Sequence, residues 1–351
     1  VSCHVCSRPI TDDNKEILTD MMHVLYIALF AFSLLACSQA KNQQQEVTTV
    51  SQTPMTTTPS FNADSAYVYV ENQVKFGPRV PNTDAHKACG NYLASELKRF
   101  GAKVYEQEAM LTAYDNTGLE AKNIIGSFNP ENDKRILLFA HWDSRPYSDH
   151  DPDPANHRKA IDGADDGASG VGALLEIARQ IGQKDPGVGI DIIFFDAEDY
   201  GTPEFVDDYK PDTWCLGTQF WAKNPHVPNY RADFGILLDM VGAKNATFFK
   251  EQTSLSKAGN IVEMVWSTAR NLGYGRYFIN ATGGAITDDH EYVIKGRNIP
   301  CIDIINYDPD SKSGFGWYWH TQKDNMENID RETLKAVGQT VLEVIYNRQK
   351  K

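Results

Sequence analysis

The stretch Ile190-Asp191-Ile192-Ile193-Phe194-Phe195-Asp196-Ala197-Glu198-Asp199 joins an apolar, β-branched run directly to a pair of adjacent acids. The run has the length and composition of a buried strand. Glu198 and Asp199 then fall where the strand should give way to a loop. Neighbouring carboxylates repel, so keeping both at an apolar strand end calls for a counter-charge. A metal ion supplies one, with one acid ligating it while the other handles protons. A solvated acidic turn is the plainer reading of a single such pair, and recurrence at other strand ends decides between the two.

The pattern recurs. The apolar run 135–140 ends on His141-Trp142-Asp143, and the run 234–238 ends on Asp239. A strand over 299–305 leads through a loop rich in glycine and aromatic residues to Trp319-His320. The reversal Asp162-Gly163-Ala164-Asp165-Asp166 precedes a helix over about 167–181. Further helices are predicted over 84–100, stopped by Gly101, and over 331–346, with Asp330 as N-cap. Strands are predicted near 104–111 and 121–128. Helices alternating with apolar strands make an α/β fold with a helix-covered, largely parallel sheet, and such sheets bind ligands beyond the carboxyl ends of their strands.

The 351 residues allow one large α/β domain or two small ones, and the 41% apolar content is ample for a core. A net charge of −13 argues against a nucleic-acid partner, because a phosphate backbone selects a basic face. Residues 1–20 contain Cys3-His4-Val5-Cys6, whose spacing suits a zinc knuckle but lacks a second ligand pair nearby. They are read as an upstream translated segment, with the start at Met21 or Met22. Residues 24–36 form a short apolar run suited to a secretory signal, closing on Leu34-Leu35-Ala36-Cys37, which resembles a bacterial lipobox. Residues 21–37 are therefore expected to be a lipoprotein signal with its anchor cysteine. Residues 38–60, rich in Gln, Thr, Ser and Pro, are expected to be a flexible linker to a catalytic domain over 61–351. The expected product is an exported, periplasmic lipoprotein, touching the (outer) membrane only through its lipid. Beyond the anchor only Cys89, Cys215 and Cys301 remain, too few and too scattered for a disulfide scaffold.

A zinc site needs three or four converging N, O or S ligands. The candidates are His141, Asp166, Asp199, Asp239 and His320, with Asp165 competing for the place of Asp166. His141-x-Asp143, Gly163-Ala-Asp-Asp166-x-Ala-Ser169-Gly170, Glu198-Asp199, Leu238-Asp239-Met-Val-Gly242 and His320-Thr321-x-x-Asp324 resemble, in order, the zinc-dependent aminopeptidase family that also contains the glutaminyl cyclases. The resemblance runs from about Phe61 to Tyr346. It implies a three-layer α/β sandwich with a largely parallel, mixed central sheet. Two-zinc aminopeptidases would use His141, Asp166 and Asp239 on one metal and Asp166, Asp199 and His320 on the other. Glutaminyl cyclases hold one zinc, by the matches to Asp166, Asp199 and His320. All five ligands are present, so the ligand list leaves both open.

The surroundings resemble the cyclase. Trp319 precedes His320, Asn325 follows Asp324, and Asp288-Asp289-His290 matches the cyclase pair of acids. The resemblance then implies one Zn²⁺ per chain and a monomer acting on peptides and proteins that begin with glutamine. The enzyme expected is a glutaminyl-peptide cyclotransferase, an acyltransferase that closes N-terminal glutamine to pyroglutamate and releases ammonia. Glu198 would shuttle the proton, sharing it with Asp239 and Asp288. Trp319 and Phe315 would wall the pocket, with Trp214 preferred to Trp221 as the aromatic of the loop 201–221. Two departures stand out: Asp199 and Asp303 occupy positions where animal cyclases have Glu and His. A two-zinc aminopeptidase and a metal-free binding domain of the same fold are the alternatives. Export has a direct test in cell fractionation. Cys37→Ala should release the protein from membranes or leave the signal uncleaved, and unchanged fractionation would count against a lipid anchor.

Overall fold

The computed structural model describes residues 57–347, so the expectations for 1–20, 21–37 and the linker up to residue 56 lie outside the described residues. The helices are α1 (Ala63–Val74), α2 (Asp84–Arg99), α3 (Ala168–Gln183), α4 (Leu216–Lys223), α5 (Gln252–Asn271), α6 (Asp289–Arg297) and α7 (Arg331–Tyr346). The strands are β1 (Lys103–Thr112), β2 (Gly118–Phe128), β3 (Arg135–His141), β4 (Gly189–Phe195), β5 (Phe234–Asp239), β6 (Phe248–Lys250), β7 (Phe278–Thr282) and β8 (Cys301–Ile305). No described helix is long and apolar enough to cross a membrane.

The main sheet runs β1-β2-β4-β3-β5-β8. Its four last-named strands are mutually parallel, while β1 and β2 form an antiparallel flap on one side. Alternation along each strand sends side chains to two faces. On β3, Ile136, Leu138 and Ala140 meet the layer of α1, α2, α3, α5 and α7, while Leu137 and Phe139 meet α4 and α6 through Trp221 and Val293. The product is a mixed three-layer sandwich: the helix-covered, largely parallel sheet expected from the apolar runs, with the layering that the family resemblance implies. Burial of each large side chain such as Phe194 or Phe195 contributes about 1.5–3 kcal/mol.

Asp191 interrupts the apolar run of β4, and its burial is chemically answered. Arg135 grips it through Nε and Nη2 at 2.7 Å each, and the Tyr230 hydroxyl donates at 2.8 Å. Arg135 also donates to Ser127 Oγ at 2.9 Å, tying the amino-terminal ends of β3 and β4 to the carboxyl end of the antiparallel β2. The strand expected over 299–305 begins two residues later, because Pro300 has no N–H for a ladder. Its carbonyl instead accepts the Gly235 N–H at 2.9 Å. Asp330 caps α7 through the Thr333 N–H. Because a buried guanidinium without its partner is costly, Asp191→Ala should lose about 3–5 kcal/mol of stability in urea unfolding, far more than a surface Asp→Ala control.

Candidate active site

The functional side chains leave the carboxyl edge of the parallel strands, and register sets their mutual height. His141 at the end of β3 pairs with Phe195 of β4, and the Trp142 N–H donates to the Phe195 carbonyl at 2.9 Å. The turn 196–199 therefore starts beside His141. On the other flank Phe139 pairs with Leu237, which brings Asp239 level with His141.

These turns are strained. Ala197, Met240 and His320 all have left-handed backbones, with φ of 52°, 47° and 54°. Each costs on the order of 1–3 kcal/mol and persists only where the surroundings dictate it. Buried acids do so by gripping the backbone. Asp143 accepts the Glu198 and Asp199 N–H groups at 3.1 Å each. Asp324 accepts those of Asp165 and Asp166 at 2.8 and 3.1 Å. Gly167 opens α3 with φ +92°, where a Cβ would lie 2.7 Å from the Asp143 carbonyl. The Arg79 side chain, fully buried, donates to the carbonyls of Trp142 and Gly163 at 3.1 and 2.7 Å.

Asp165 and Asp166 diverge. Asp165 accepts from the Gly242 N–H at 2.7 Å and the Tyr318 hydroxyl at 2.5 Å, and burial pushes its carboxyl up to about 7. Asp166 turns the other way, into two groups of potential ligands. Its Oδ1 is 3.0 Å from His141 Nε2, which is also 3.3 Å from Asp239 Oδ1. Its Oδ2 is 3.5 Å from His320 Nε2, which is 3.3 Å from Asp199 Oδ1. Both triads are buried and share Asp166.

A metal fits this donor set. Asp199 Oδ2 and Asp239 Oδ1 are buried without a hydrogen-bond partner. Burial, reinforced by the charge of Asp166, raises the Asp199 carboxyl well above its ordinary range. Burial holds His320 well below its own, so its ring is neutral and offers a lone pair. Such a group of desolvated acids around a neutral imidazole is repaired by a divalent cation.

Next to it, Glu198, Asp199, Asp239, Asp288, Phe315, Trp319, His320 and Trp214 line a cavity of about 200 Å³. Burial raises the Glu198 and Asp288 carboxyls well above the usual range. Trp319 stacks on the His320 ring with centroids 3.7 Å apart, and Phe315 leans on Trp319 at 4.7 Å. Trp214 faces the cavity, whereas Trp221 is fully buried in the core beneath α4. Asp303 is buried among Asp288, Asp239 and Glu251, its carboxyl oxygens without a hydrogen bond and Oδ2 lying 3.9 Å from His290 Nδ1. A larger cleft of about 590 Å³, between α2 and the β1–β2 flap, holds none of these groups.

Sequence reasoning did not find Arg145. It is fully buried, binds both oxygens of Asp149 at 2.7 and 2.6 Å, and reaches Asp199 Oδ1 at 3.3 Å. Its guanidinium lies 4.6 Å from the Trp214 ring centre, and Asp149 faces His320 Nδ1 at 3.6 Å. One cation thus steadies a candidate ligand and the aromatic wall together. The available signal was an Arg two residues after Asp143, in a loop crowded with acids.

The family model for peptidase family M28 matches residues 123–345. A crystal structure of a Zn-dependent exopeptidase from Parabacteroides distasonis is 84% identical, covering 83% of this chain and 100% of that one with a TM-score of 0.83. The crystal structure of Tannerella forsythia glutaminyl cyclase is 73% identical with the same coverage and a TM-score of 0.82. Glutaminyl-peptide cyclotransferase of Bos taurus is 28% identical over 286 residues, 73% of this chain and 74% of that protein. If Asp324 sets the Asp166 backbone, Asp324→Ala should weaken zinc binding about 10–100-fold. Competition against a chromogenic chelator would measure it, with Asp64→Ala on the exposed face of α1 as the control.

Proposed function

The chain belongs to peptidase family M28, and from the site it builds there we propose that it cyclises N-terminal glutamine to pyroglutamate with release of ammonia. What supports the reading above all is the small cavity in which Glu198 lies beside the Asp166–Asp199–His320 group under an aromatic wall. Its volume suits a short, uncharged amide side chain. The high identity to a glutaminyl cyclase points the same way.

In the substrate the α-amine and the γ-amide belong to one residue, so proximity is built in. The remaining obstacles are a protonated amine, a weak electrophile and a poor leaving group. Asp166, Asp199 and His320 would hold one zinc ion. When bound, the zinc supplies Lewis-acid polarisation of the γ-carbonyl. Glu198 takes a proton from the amine as its nitrogen bonds to the γ-carbon, and returns a proton to the departing NH₂ so that ammonia leaves. A carboxyl raised by burial suits both tasks. Asp239 and Asp288, on the same cavity, share the proton with Glu198. Trp214, Phe315 and Trp319 exclude water and align the side chain. His141 pairs with Asp143, Asp166 and Asp239 at 3.0–3.4 Å, and this ring is proposed to take the place of a second ion. Tethering through Cys37 would present the site to exported peptides.

The intact second triad favours one other reading, a two-zinc aminopeptidase. Metal content beside turnover of glutamine peptides and leucyl amide separates them. One zinc per chain, retained in His141→Ala, is expected, and two tightly bound ions with leucyl-amide turnover would favour the peptidase.

Glu198→Gln preserves size but removes the basic oxygen. It should keep zinc and lose on the order of 10²–10⁴-fold in turnover, the usual worth of general acid–base catalysis. Because only the deprotonated carboxyl accepts the amine proton, activity should fall as pH drops through the raised Glu198 pKa. That acidic limb should vanish in Glu198→Gln. Asp199→Asn should instead lose zinc and activity together. A metal-free Glu198→Gln protein would mean that the two acids exchange roles.

A further inference from the structure

Cys215 has a side chain in an unusual position. It is the N-cap residue of α4, yet its side chain caps no helical N–H, and its φ is +55°. N-caps are ordinarily Ser, Thr, Asp or Asn, whose oxygens accept from the first turn. Here the thiol turns away from the helix and donates to Glu198 Oε1 at 3.2 Å. Among the described residues it is the hydrogen-bond donor recorded for the Glu198 carboxyl.

The backbone around this contact is built to hold it. The N–H groups of Cys215, Leu216 and Gly217 donate in succession to the carbonyls of Glu198, Ala197 and Asp196, at 2.9, 3.0 and 3.0 Å. The α4 entrance is thus laid antiparallel on the very turn that carries Glu198. Gly217 permits the approach, since a Cβ there would lie 2.2 Å from the Asp196 carbonyl. Cys215 is completely buried and unpaired, with Asp288 completing a close group of three around Glu198. A thiol is a weak donor and a weak acceptor. It can fix the direction of a carboxyl without competing strongly for it, which an amide or an ammonium would do.

We propose that Cys215 is a positioning residue for the cyclisation, its thiol anchoring Oε1 of Glu198 so that the other carboxyl oxygen stays directed at the substrate. The inference rests on Glu198 being the proton carrier, and the experiment separates the two. Cys215→Gly and Cys215→Ala both delete the donor, and glycine also suits the left-handed backbone, so a folded variant is secured. Each should lower kcat roughly tenfold, as expected for one weak hydrogen bond to a charged group. KM, zinc content and Tm should stay near those of the parent. Cys215→Ser restores a donor and should recover most of kcat. In the Glu198→Gln background the same substitutions should cause no further loss. The proposal is overturned if both donor-less variants keep kcat within about twofold, if serine is no better than alanine, or if the loss persists in Glu198→Gln. Near-parent turnover of Glu198→Gln alone would instead remove the proton-carrier reading.

Discussion

Crowded negative charge at the carboxyl edge of the parallel strands is the constraint on which the rest of the molecule depends. Asp143, Asp166, Asp199, Asp239, Asp288 and Asp324 are all buried there with few cations among them. In a low-dielectric setting such carboxylates repel strongly and lose hydration. Asp143 and Asp324 answer this by gripping backbone N–H groups, whereas Asp166 and Asp199 converge with His320 as a group able to hold a cation. The acids of the first kind hold the left-handed turns that present the acids of the second kind.

The sheet makes this arrangement affordable in strain. Parallel strands paired in register end at one level, so short turns suffice to bring His141, Glu198, Asp199 and Asp239 to a single cavity. Arg79 and Arg145 carry the necessary positive charge in fixed places. The first donates to carbonyls of the Trp142 and Gly163 turns, and the second bridges Asp149, Asp199 and Trp214. The aromatic wall is consequently not an independent layer. Trp319 stacks on His320 and Trp214 packs on Arg145, so pocket shape and ligand geometry are coupled through shared contacts. Substitutions on either side should be felt on the other.

Much of this was legible in the chain. Short continuous apolar runs, each ending on an acid or histidine, specify a buried sheet with a polar edge, since no other placement satisfies both halves of the run. Helices α2 and α7 have apolar stripes and side-chain N-caps, Thr83 and Asp330, and α3 is a run of small and apolar residues. By contrast α6 turns Asp289 and His290 inward with Val293, so it has no apolar stripe to read. Helix α5 is broken by Ala258 at φ −144°, which interrupts its period. Helix α1 shows the core only a narrow face of Ala66, Tyr69, Val70 and Gln73.

The sequence by itself determined the fold class and named the candidate ligands, because apolar runs and motif order are local properties. The family resemblance put forward Asp166 and Trp214, and only the tertiary structure shows Asp165 turned to Gly242 and Tyr318, Trp214 on the cavity, and Arg145 and Cys215 against Asp199 and Glu198. Adjacent residues differ in the direction they point, and contacts between residues 145 and 199 or 198 and 215 depend on how distant turns pack. Neither is written in the spacing of residue types along a chain.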